Sequence, residues 1–205
     1  MRFWIEITNA AGTKQGRIDN ALYWRSTARL DRAGDFEFAI PAADAKTSLL
    51  VNQYRAYCYG IVNDAVTELG AGIVEQIATR QSGNGAPVVV VSGGDLLREL
   101  QIHRILTGAP YDIPGSSVVP DLLIDLATTN PFPGTWTLGG ELTTASDVYA
   151  TFDKETIFNG LARVAKATGE HFRWGGSRTL TWLGPVSNFA ASGLLATTNA
   201  DPASL

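Results

Sequence analysis

From Phe3 to Val91 the apolar residues fall in short runs, many of them spaced by two. The clearest is Phe36-Glu37-Phe38-Ala39-Ile40: Phe36, Phe38 and Ile40 share one face of an extended chain, Glu37 takes the other, and Pro41 ends the run. That spacing predicts a strand. Strands are expected also at Arg2 to Thr8, Tyr23 to Leu30, Tyr54 to Val62, Ile73 to Thr79 and Val88 to Val91, where β-branched and aromatic residues favour a buried, extended backbone. The polar stretch from Asn9 to Gly16 reads as a loop, and Asp31 to Asp35, Asn63-Asp64 and Gln81 to Gly85 read as turns. Ala42 to Leu50 reads as a short helix or an irregular link. Ser92-Gly93-Gly94 is expected to break the strand before it. Asp95 then caps a helix over 95–103, with Leu96, Leu97 and Leu100 on one face.

The period changes after Gly108. Gly108 to Ser117 is a rigid, punctuated link. Val118, Val119, Leu122, Leu123 and Leu126 then recur at helical spacing, which predicts a helix over 118–128, capped by Ser117 and ended by Asn130 to Gly134. Thr135 to Leu138 is extended, and Leu142 to Ala150 has no clear period. Phe152 is expected to pack at the start of a second helix over 154–168, with Asp153 as its cap and Gly169 as its stop. His171 to Trp174 and Thr179 to Leu183, joined by Gly175-Gly176-Ser177-Arg178, form a hairpin. The predicted class is α+β. A mainly antiparallel, barrel-like β domain spans 1–107, a small α/β domain spans 108–183, and 184–205 is a linker or the start of a further domain.

Composition supports a packed chain: 45% of the 205 residues are hydrophobic and 18% are charged. The net charge of -4 and the thin spread of Lys and Arg argue against a nucleic-acid footprint. No basic segment precedes an apolar run at the start, and no apolar run is long enough to span a bilayer, so neither a signal peptide nor a membrane span is expected. The single cysteine, Cys58, lies between two tyrosines in a strand and reads as a small buried hydrophobe.

Candidate chemistry is sparse. Ser92-Gly93-Gly94-Asp95 has the order strand, glycine turn, helix. It lacks the phosphate-loop and dinucleotide patterns, and it places an acid where a phosphate would sit. His103 and His171 have no His or Cys at metal-ligand spacing; His103 is expected at a helix end, and His171 in a strand beside Phe172 at a sheet surface. Asp121 and Asp125, and likewise Asp95 and Glu99, are four apart, as expected on solvated helix faces. Ser92 has no nucleophile-elbow context. No catalytic, cofactor-binding or metal-binding residue is therefore assigned. The five tryptophans offer material for a sugar-binding platform, and equally for core or subunit contacts. A carbohydrate-binding β module is thus one alternative reading, and a small hydrolase with an unrecognised site another.

One resemblance rests on the order of short segments. The opening strand Phe3 to Thr8 is followed by Asp31-Arg32-Ala33-Gly34-Asp35-Phe36-Glu37-Phe38-Ala39-Ile40-Pro41, then by a Tyr-rich strand. Gly72-Ile73-Val74-Glu75, Val89 to Leu97, Arg104, Tyr111 and the helix from Val118 come next. This succession resembles the N-terminal half of phage tail hub proteins, the trimeric baseplate hubs of contractile tails and the tail-tip hubs of long non-contractile ones. The resemblance implies a first barrel-like domain ending near 107 and an inserted α/β domain after it. It also implies a second barrel beyond, and three subunits around a channel. It implies a non-enzymatic structural subunit of the virion, assembled in the host cytoplasm and working as a homotrimer. The implied partners are distal tail or tail-tube proteins, tip or fibre proteins and the tape-measure protein, with DNA passing the channel without specific binding.

Overall fold

The computed structural model describes residues 3–81, 85–102, 110–114, 136–139, 147–152, 155–176 and 178–184, with backbone alone at 110–114 and 147–151. The chain is mostly antiparallel β with few helices, the α+β class that the alternation predicts. Its first part holds eight strands: β1 (Phe3–Thr8), β2 (Lys14–Ile18), β3 (Tyr23–Thr27), β4 (Asp35–Pro41), β5 (Arg55–Val62), β6 (Ala65–Ile73), β7 (Gln76–Gln81) and β8 (Pro87–Gly94). They form two four-stranded sheets, ordered β2-β1-β5-β6 and β3-β4-β8-β7. Among the described residues the sheets do not close into a barrel.

The alternation of β4 accounts for the core. Phe36, Phe38 and Ile40 point inward and are buried, as are Val89 and Val91 on the paired β8. Ile5, Ile7 and Ile18 meet them from the first sheet in one cluster. Each such side chain contributes roughly 1.5–3 kcal/mol by leaving water. Trp24 of β3 stacks on Phe36 and Phe38, with ring centroids 5.2 and 5.7 Å away.

β6 runs on into β7 with a sharp change of sheet between them. Val74 N–H donates to Tyr54 O (2.8 Å), still in line with the first sheet, and Glu75 N–H donates to Ser92 O (3.0 Å) in the second. The crossing is close. A Cβ on Gly72 would sit 2.2 Å from Phe36 Cδ1, and one on Gly93 would sit 1.9 Å from Ile73 O. Only bare backbone fits there. This also corrects the expected strand break at Ser92-Gly93-Gly94. The strand continues through it, with Gly93 opposite Phe36 and Gly94 opposite Asp35, because the glycines make room for β6 rather than turn the chain.

Other expectations change in detail. Lys14–Ile18 is a strand, not the end of a loop, and Ala65–Ile73 is a strand of its own. Ala45–Leu49 forms a 3-10 turn capped by Asp44, whose side chain accepts from Lys46 N. Helix α1 (Leu97–Ile102) follows Asp95 as expected. Part of the expected link after Gly108 is strand β9 (Pro110–Pro114), paired with β11 (Asp147–Thr151).

The later part adds β10 (Thr137–Gly139), helix α2 (Ile157–Thr168), β12 (His171–Trp174) and β13 (Thr179–Leu183). β12 and β13 make the predicted hairpin, and β10 lies parallel to β13. Helix α2 is capped by Thr156, whose hydroxyl accepts from Asn159 N, and it ends at Gly169 with φ 73. Thr156 takes the cap expected of Asp153, which lies outside the described residues, as do the helix expected over 118–128, His103, Asp121, Asp125 and the tail beyond Gly184. One apolar cluster joins both parts: Ile73, Leu97 and Leu100 pack with Phe158, Leu161 and Trp182, and α1 rests on α2.

Candidate functional site

Ser92 lies on the outer face of the second sheet, in a shallow groove lined by Arg25, Thr27, Asp35, Phe36, Glu37, Glu75, Ser92 and Gly93. Among the described residues no histidine lines that groove. Its acids are already engaged: Tyr23 Oη donates to Glu37 Oε1 (2.8 Å), Arg25 lies 3.1 Å from the same oxygen, Arg29 pairs with Asp35 (2.5 Å) and Arg98 with Glu75 (3.1 Å). Among the described residues no three His, Cys, Asp or Glu side chains converge to hold a metal ion. Cys58 is fully buried, and burial pushes its thiol up to about 12, with Glu68 adding to the shift. Such a thiol is not a nucleophile near neutral pH.

The polar side chains that do converge lie between the two parts of the chain. Glu99 is fully buried on α1. Its Oε1 accepts from Arg55 Nε of β5 (2.9 Å) and from Arg178 Nη2 (3.2 Å), and its Oε2 accepts from Arg178 Nε (3.0 Å). Arg178 belongs to the turn of the β12–β13 hairpin. Burial works against its charge, but the Glu99 carboxylate and Tyr57 together outweigh it and the net shift is upward. The carboxylate thus takes one cation from each part of the chain.

A second polar contact grips the start of the same hairpin. Asp31 has φ 53, in the left-handed region that Asp tolerates. Its backbone N–H donates to Phe172 O (2.9 Å), its Oδ1 accepts from Phe172 N (3.0 Å), and its Oδ2 lies 2.5 Å from His171 Nδ1. Three residues on, Gly34 N–H donates to Asp95 Oδ2 (2.7 Å), and Leu97 N–H donates to Asp95 Oδ1 (3.0 Å). The segment Asp31 to Asp35 is therefore more than a turn. It ties β12 to the first part and holds the cap of α1.

Two expectations need correcting here. Asp95 and Glu99 are not a solvated helix face: they are 3% and 0% exposed, and each has its own partners. His171, expected at a sheet surface, is half-buried against Asp31. Nothing in the spacing of Arg55, Glu99 and Arg178 announces their meeting. The usable signal lies in α1 itself, a six-residue helix in which Glu99 directly precedes Leu100 and is buried together with it and Leu97.

Many of the described aromatics serve packing. Trp4, Trp136 and Trp182 are buried. Trp182 Nε1 donates to the buried Glu170 (2.6 Å) and its ring stacks on Phe172 at 5.8 Å. Arg17 covers Trp4, its guanidinium 4.3 Å from the ring centroid. The exposed apolar residues include Ile61 and Val66, which sit opposite each other beside the Asn63-Asp64 turn of the β5–β6 hairpin.

Two facing antiparallel sheets that share one bent strand, with a small helix-and-hairpin unit locked onto their flank, define the architecture. Solved structures of tail proteins have this fold. A tail protein from Neisseria meningitidis MC58 matches over 89% of this chain with a TM-score of 0.56 and 14% identity. The 43 kDa tail protein of prophage MuSo2 from Shewanella oneidensis matches over 88% with a TM-score of 0.58 and 12% identity. This chain spans about half of each, 50% and 54% respectively. No protein-family model matches the sequence, and no curated protein does.

Proposed function

We propose that this chain is a non-enzymatic structural subunit of a phage tail, placed at the hub of the tail tip or baseplate. It joins the tail tube to the tip and surrounds the channel by which DNA leaves, as a homotrimer. Its partners are distal tail or tail-tube proteins, tip or fibre proteins and the tape-measure protein, and DNA passes without specific binding. Residues 1–107 form the hub domain proper, and 108–183 the α/β domain attached to it. One observation carries the reading: the fold likeness to two tail proteins extends over nearly nine-tenths of the chain. The location of the aromatics favours it over a sugar-binding module, because Trp4, Trp136 and Trp182 are spent on packing.

The deciding experiment is cryo-electron microscopy of the particle that contains the full-length protein. Three copies around the tail axis at the tip or baseplate are expected. Density for this fold away from the tail, or at the tip without three-fold symmetry, would refute the placement.

A further inference from the structure

We infer that Glu99 fixes the orientation in which the helix-and-hairpin part sits on the sheets, while the apolar cluster supplies the attachment. The two contributions differ in kind. Contact among Ile73, Leu97, Leu161, Phe172 and Trp182 is non-directional, and a small slide or rotation would keep most of it. The Glu99 contact tolerates no such slide. Both carboxylate oxygens are occupied, one guanidinium comes from β5, the other from the hairpin turn, and the acid is 0% exposed. Moving the hairpin by one residue would leave a buried carboxylate short of a partner, which is far costlier than lost apolar area.

Asp31 provides the second fixed point. It holds Phe172 through one backbone–backbone hydrogen bond and one from Phe172 N–H to its carboxylate, and His171 through the other carboxylate oxygen, at the opposite end of the hairpin from Arg178. One point would leave the hairpin free to pivot; two define a line, and the apolar cluster then closes the remaining rotation. Buried ion pairs give little net stability compared with apolar residues of the same volume, so a clamp of this kind acts through uniqueness. The inference is independent of any role in a phage tail.

The test uses the full chain with spin labels on Thr67→Cys and Ala167→Cys, both exposed positions, one in each part. Without further change, the inter-label distances should form a single narrow distribution. In the triple variant Arg55→Met, Glu99→Leu, Arg178→Met the protein is expected to stay folded, with its thermal midpoint within a few degrees, and the distribution to broaden or split. A triple variant that keeps the narrow distribution overturns the inference, because apolar packing would then set the orientation. A triple variant that fails to fold also overturns it, because the apolar cluster would not suffice for attachment. Hydrogen exchange on the single variant Arg178→Gln gives an independent readout. Amide protection at Leu180 and Thr181 should fall on the order of a hundredfold, with Ile5 and Ile7 unchanged. Equal losses at all four positions, or none, would count against a local clamp.

Discussion

At the scale of single residues, the acids Asp95 and Glu99 show where sequence reading stops. Two carboxylates four apart look alike on paper. What separates a solvated pair from two buried anchors is the partner, and the partners here lie 61 residues away for Asp95, and 44 and 79 for Glu99. No local pattern encodes such distances. Asp95 carries a measurable consequence. Burial pushes its carboxyl up to about 6, against the pull of the Gly34 and Leu97 N–H groups. The ordinary value is 3.8, so between 3.8 and 6 the folded chain holds the proton more tightly than the unfolded one. Stability on this account is greatest below that window and falls as pH rises through it, by about 3 kcal/mol in all. Urea denaturation at several pH values should show that slope, and Asp95→Asn should flatten it. An unchanged slope in the variant would assign the effect to another group.

Among the elements, those with a strong period of their own were legible, and those defined by a neighbour were not. Helix α2 declares itself through Ile157, Phe158, Leu161, Val164 and Ala165, all buried, and through Gly169 at its end. β4 declares itself by alternation. β2 does not: only Ile18 in it is buried, and Lys14, Gln15 and Arg17 would suit any loop. It is a strand because β1 offers it a free edge, with Ile5 opposite Ile18. β6 was hidden for another reason. Gly70 and Gly72 lower its β propensity, yet they are there so that Trp24 and Phe36 can press against the backbone. For the cap of α2 the sequence pattern favours Asp153, but Thr156 suits the role equally and the geometry selects it. Thr156→Ala should therefore lower stability by about 1 kcal/mol. A thermal midpoint indistinguishable from that of the parent chain would show that the Thr156–Asn159 bond contributes nothing.

For the molecule as a whole, the succession of segments conveyed the fold class and the likeness to tail proteins. It conveyed nothing of the buried contacts that lock the parts together, since those depend on three-dimensional coincidence. The shared apolar cluster makes one cooperative unit the expectation. Heating should give a single transition by calorimetry and by tryptophan fluorescence, the latter reporting Trp4 in the sheets and Trp182 beside α2. Two resolved transitions would show that the parts unfold independently. The bent strand has a mechanical meaning as well. Because β6 and β7 are one length of backbone, tension applied along β6 passes into the second sheet through covalent bonds, without relying on the greasy contact between the sheets. The load then falls in shear on the rows of hydrogen bonds that β6 makes with β5 and β7 makes with β8, and many of those must yield together. A chain wired in this way carries force from one sheet to the other through its own backbone, and resists being pulled apart far better than one whose sheets are merely stuck face to face.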